Sequence, residues 1–96
     1  MLLPKNRAPA HPGELIIRGF MLPEDITASA LAGDMDITVD ELHQLLDAEI
    51  PCTERLAERL AIALGTEAGF WLSAQNLYDA WLKRENLFDD YYLAAN

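Results

Sequence analysis

Residues 27–47 read TASALAGDMDITVDELHQLLD, and the reading of this stretch decides the fold. Thr27 can cap a short helix over Ala28 to Met35, whose small residues Ala28, Ser29, Ala30, Ala32 and Gly33 let another helix approach closely. Asp36 then stands where a tight turn is needed, and aspartate tolerates the positive φ that such a turn uses. Thr38-Val39-Asp40-Glu41 has the S/T-x-x-E pattern of a capping box, in which the threonine accepts the N3 amide and the glutamate reaches back to the threonine amide. Val39, Leu42, Leu45 and Leu46 follow at i, i+3, i+6 and i+7, the stripe of a helix with one buried face. A short helix, a turn of about three residues and a capped second helix form the layout of a helix-turn-helix unit.

Outward from this unit, prolines and glycines divide the rest. Pro4, Pro9 and Pro12 keep the first dozen residues extended, and Pro12-Gly13-Glu14 opens a helix that runs to about Leu22, where Pro23 stops it. Ile50-Pro51-Cys52 breaks the pattern; Thr53 caps a further helix carrying Leu56, Leu60, Ala63 and Leu64, and Gly65 ends it. From Thr66 onward two apolar stripes overlap, Phe70-Ala74-Leu77-Trp81 and Trp71-Tyr78-Leu82, wider than the ~100° that one core contact covers. That surplus predicts a homodimer, with Phe70, Trp71, Leu77, Tyr78 and Trp81 as interface candidates. The organisation is therefore an extended arm over residues 1–10, a five-helix domain over 11–85 and an acidic, aromatic tail over 86–96.

Composition agrees with an all-α chain. Leucine occurs 16 times, alanine 14 times and valine once in 96 residues, which favours helix over sheet. Apolar runs of three or four residues, such as Leu15-Ile16-Ile17 and Phe70-Trp71-Leu72, are far below the ~20 that a membrane span needs. No signal peptide is readable at Met1-Leu2-Leu3-Pro4-Lys5, so the expected location is the cytoplasm. With Cys52 the only cysteine, and only His11 and His43 besides, neither a disulfide nor a metal site is expected, and no cofactor is implied. No nucleophile, base and orienting group can be assembled either: Ser29 and Ser73 sit in helical contexts and His11 reads as a neighbour of a helix cap, so no enzyme is expected.

Three further motifs carry a family resemblance. His11-Pro12-Gly13-Glu14, Ala61-Ile62-Ala63-Leu64-Gly65-Thr66, and Phe70-Trp71-Leu72 followed by Gln75 and Tyr78-Asp79-Ala80-Trp81 resemble the HigA-type (host-inhibition-of-growth) antitoxins, a branch of the Xre, lambda-repressor-like helix-turn-helix family. The likeness extends without a gap from His11 to about Leu82. It implies a five-helix lambda-repressor-like domain that binds operator DNA as a dimer, represses its own toxin–antitoxin operon and neutralises a small basic, RelE-like toxin. It also implies that the segment from Thr38 to Asp47 enters the major groove, with Thr38, Val39, Asp40, Glu41, His43 and Gln44 facing bases and phosphates.

The charge departs from that family. From Gly19 to Glu54 there are nine acidic residues and no Lys or Arg, a segment that by itself equals the net charge of −9. The family usually has Arg or Asn near Val39 and Asp40, Gly at the position of Asp36, and Gly or Asn followed by a basic residue near Asp47-Ala48-Glu49. Phosphate contact runs on cations, so this face has the wrong sign for DNA unless Arg18, Arg55 and Arg59 beside it supply the charge. Arg55 and Arg59, with Glu54 and Glu58 next to them, read more simply as an ion-pair row along one helix. The alternative function is a degenerate helix-turn-helix that no longer binds DNA and acts only through protein contacts, its acidic face steering a basic partner.

Overall fold

His11 starts the first helix by replacing a backbone partner. Pro12 occupies the first helical position, where a missing N–H costs nothing, and the His11 ring Nδ1 accepts the Gly13 amide at 3.0 Å. The computed structural model describes residues 9–94, with side chains through Glu85. The expected arm at residues 1–10 therefore lies almost wholly outside the described residues.

Five helices follow one another. α1 is α-helical over Pro12–Ile16, widens into a π-turn over Ile17–Met21 and closes as α-helix over Leu22–Glu24. α2 spans Ala28–Met35, α3 Val39–Leu46, α4 Glu54–Leu64 and α5 Ala68–Ala94. No strand occurs among the described residues, and none of their helices is long and apolar enough to cross a membrane.

Pro23 does not stop α1 after Leu22, which corrects the expectation from sequence. In an α-helix its ring would strike the carbonyl four residues back; here the π-turn, with the Leu22 amide on the Ile17 carbonyl, widens the ladder just before it. The helix ends instead at Asp25, which is left-handed at φ 54°.

One C-terminal device recurs. The chain leaves α1, α2, α3 and α4 through a left-handed residue, Asp25, Asp36, Ala48 and Gly65 in turn. Past each of them an amide reaches back five residues: Ile26 to Met21 at 2.9 Å, Ile37 to Ala32 at 3.0 Å, Glu49 to Gln44 at 2.8 Å and Thr66 to Ala61 at 3.1 Å. Aspartate and glycine suit that conformation. Ala48, at φ 60°, has neither a polar side chain that could hydrogen-bond to the backbone nor glycine's freedom to offset its cost of about 1–2 kcal/mol. The N-termini are as regular: Thr27, Thr38 and Thr53 each accept the amide three residues on.

The core lies where α1, α2, α3, α4 and the start of α5 converge, and is filled by Ile16, Leu31, Met35, Leu42, Leu45, Leu56, Leu60 and Trp71. Gly13 sets its tightest contact. A Cβ there would fall within 3.0 Å of the Leu45 and Leu46 carbonyl oxygens and the Leu46 Cα, so only glycine lets α1 lie against the C-terminal end of α3. α5 packs along α4 and then runs on, 27 residues or about 40 Å in all. The backbone stays helical past Asn86 to Ala94, across the boundary expected for a separate tail; the tail's side chains lie outside the described residues.

Two stability measurements check this account. Gly13→Ala should destabilise the fold by about 2–3 kcal/mol in urea or thermal unfolding, because backbone atoms cannot yield to a methyl group. Ala48→Gly should stabilise it by about 0.5–1 kcal/mol, roughly 4 °C in Tm, once the added freedom of the unfolded chain is subtracted.

Candidate nucleic-acid interface

Leu42 and Leu45 face the core, and that fixes what α3 turns outward. Thr38, Val39, Asp40, His43 and Gln44 are all exposed, and Asp47 continues the same face. Five of the six residues expected to read DNA thus share one open surface. Glu41 does not: its side chain turns sideways to α4, where the Arg55 guanidinium donates to it.

That pairing alters the capping box. The Thr38 hydroxyl accepts the Glu41 amide at 3.0 Å as expected, but among the described residues the reciprocal bond from Glu41 back to the Thr38 amide is missing. A guanidinium makes a charge-assisted bond that a neutral amide cannot match, so the carboxylate goes to Arg55. The ion-pair row expected along α4 is corrected by the same geometry. Arg55 pairs with Glu41, and Arg59 donates to the Met35 and Asp36 carbonyls at 2.9 and 3.2 Å while lying 3.6 Å from the Asp36 carboxylate. Both arginines reach across to the helix-turn-helix rather than along their own helix. Arg18 pairs with Glu14 at 3.3 Å. All three cations that flank the motif therefore already hold a carboxylate.

Three contacts from elsewhere in the chain hold α3 in place. Gly13 abuts its C-terminal end, Arg59 fastens the turn before it, and Gln75 on α5 anchors the loop after it by accepting the Cys52 amide at 2.7 Å. Gln75 is buried, and its amide group donates in turn to Asp79 at 2.9 Å. Sequence reasoning did not find the roles of Arg59 and Gln75, because their partners lie 24 and 23 residues away and no local spacing marks them. Cys52 itself is buried, and burial pushes its thiol up to about 11, which makes it a packing residue with little thiolate.

The apolar surplus on α5 divides into two parts. Phe70 and Leu77 are 52% and 63% exposed, and with Pro9, Ala10, Leu15 and Ala74 they line an apolar groove of about 300 Å³. Trp71 is fully buried and its indole N–H donates to the Thr66 hydroxyl at 2.7 Å, so it belongs to the core and is withdrawn from the dimer candidates. Tyr78 and Trp81 are half-buried, and Tyr78 meets the His11 ring edge-on at 5.0 Å.

Known proteins resemble this chain in sequence and in fold. No family model matches the chain. Antitoxin HigA-1 of Vibrio cholerae is 35% identical over 76 residues, covering 79% of this chain and 71% of that protein. Among solved structures, an addiction module antidote protein of a HigA family from Coxiella burnetii has a TM-score of 0.80 at 27% identity, covering 88% of this chain and 91% of the other. Pseudomonas aeruginosa antitoxin HigA with the higBA promoter has a TM-score of 0.80 at 24% identity, covering 86% and 90%.

His11 yields a pH prediction. Burial lowers its pKa below 6.5, and Asp79 opposes the shift only in part. A histidine whose folded pKa is depressed takes up its proton first in the unfolded chain, so its contribution to stability is complete above pH 6.5 and is lost as pH falls below that value. Protonation also removes the Nδ1 acceptor that caps α1. Unfolding midpoints should fall between about pH 7.5 and about pH 5.5, and His11→Asn, which keeps a capping oxygen, should flatten that dependence.

Proposed function

This chain belongs to the HigA family of antitoxins, within the Xre-type helix-turn-helix group, and on that footing we propose that it regulates a toxin–antitoxin operon as a dimer. It binds operator DNA through α3 and neutralises a small basic toxin encoded beside it. The observation that carries this reading is the presentation of α3: its apolar side is locked into the core while Val39, Asp40, His43 and Gln44 stand outward on a rigid frame. Gln44 has the donor–acceptor pair that suits an adenine edge, and Asp40 can accept from cytosine N4. Phe70 and Leu77, beside the apolar groove, are the surface offered to the second copy.

The electrostatics shape how such binding behaves. A binder with about 6–10 phosphate contacts loses about 10³–10⁵ in affinity between about 50 and 200 mM salt. Here Arg18, Arg55 and Arg59 are each engaged with a carboxylate, so fewer contacts form and recognition runs on base edges and DNA shape. A second reading has one observation in its favour, the exposed acids Asp40 and Asp47 on the outward face of α3. On that reading the face captures the basic toxin and DNA binding has been lost.

The test is binding of the protein to its own upstream DNA and to an unrelated duplex over about 50–200 mM salt. Preference for the upstream DNA with a shallow salt dependence is expected. Absence of binding at the lowest salt would overturn the DNA reading, and loss of toxin capture by Asp40→Lys and Asp47→Lys would then establish the second.

A further inference from the structure

The ion pair between Glu41 and Arg55 sits at the edge of the face that α3 presents. Its two members differ in exposure, 28% for the Glu41 side chain and 51% for Arg55, so the guanidinium remains reachable from solvent while it holds the carboxylate. Arg59, one turn further along α4, is committed to the Met35 and Asp36 carbonyls and serves the turn itself. Arg55 has no such backbone duty among the described residues. Ion pairs this open to solvent contribute little, so a phosphate oxygen can take the place of the carboxylate. Glu41 and a DNA phosphate are therefore alternative partners for one cation.

We propose that Glu41 is an affinity-setting residue that weakens DNA binding by occupying Arg55, and that freeing Arg55 adds one phosphate contact beside the start of α3. The inference rests on the DNA-binding reading above. It explains how nine carboxylates between Gly19 and Glu54 coexist with an intact helix-turn-helix: one of them is a built-in competitor of phosphate, which keeps affinity low and leaves discrimination to base edges.

A double-mutant cycle on the full chain tests it, with Glu41→Gln, Arg55→Gln and the double variant titrated against upstream DNA and an unrelated duplex. Glu49→Gln, which removes an exposed acid that holds no cation among the described residues, is the charge-only control. Glutamine keeps the length of the Glu41 side chain and the Thr38 cap, and equal melting curves confirm that each variant is folded. Glu41→Gln should tighten binding to both duplexes by about threefold to fivefold at about 50 mM salt and steepen the log K against log salt slope by up to about 0.9, so that the gain is largely lost by about 200 mM. In the Arg55→Gln background, and in Glu49→Gln, the slope should not change. Specific binding by the unaltered chain without a gain in Glu41→Gln, or with a gain that survives Arg55→Gln, would overturn the proposal and leave the DNA reading standing. Absence of binding by every variant overturns both, whereas binding that appears only in Glu41→Gln supports the competitor role.

Discussion

The architecture depends on the contact between Gly13 and the carbonyl end of α3. Backbone meets backbone there, with no side chain between them to adjust, so any Cβ at position 13 would push α1 and α3 apart. The neighbouring residues extend that constraint. His11 caps α1 and places its ring against Tyr78 of α5, and Pro12 fixes the helical entry between them. Three consecutive residues thus tie the first helix to the third and the fifth, which explains why they carry so much of the sequence signal.

Where the physics is local, the sequence was legible. Threonine caps at 27, 38 and 53, left-handed Asp36 and Gly65, and the alternation of Leu42 and Leu45 with polar positions each depend on residues within one or two turns. The helix-turn-helix followed from these, whereas its DNA-facing residues rest on the family resemblance, and Val39, which spacing puts on the buried stripe, is exposed. What escaped was non-local or two-sided. Nothing next to Pro23 signals that a π-turn will absorb it, and a doubly striped α5 does not say which tryptophan is interior, so its spacing makes Trp71 an interface candidate beside Phe70. Arg55 had adjacent acids in sequence but paired across the turn, because side chains on one helix face compete with those of a packed neighbour for the same cation. Of the α3 residues taken as DNA-facing, five lie on one open surface, and Glu41 departs for the same reason.

Charge follows a consistent division of labour. Each arginine near the motif is engaged within the fold: Arg59 satisfies carbonyls at the end of α2, Arg55 pairs with Glu41 of α3, and Arg18 pairs within α1. Exposed carboxylates on the outward face are left to solvent, where they cost the fold little and repel any polyanion that approaches without specific contacts.

Apart from the Thr38 cap, the contacts that hold α3 do not include the side chains α3 turns outward. Gly13, Gln75, Arg59 and the Leu42–Leu45 pair act from behind or from the ends, while Asp40, His43, Gln44 and Asp47 are exposed. A scaffold built this way keeps its shape under nearly any choice of outward residues, so fold likeness constrains where recognition occurs far more than what is recognised or how tightly. Glu41 is the exception, since it is coupled both to the frame through Arg55 and to the surface through its place in the first turn. A change there alters the electrostatics of the face and leaves the helices where they are, which makes the first turn of α3 the position where affinity can be tuned without a cost in architecture.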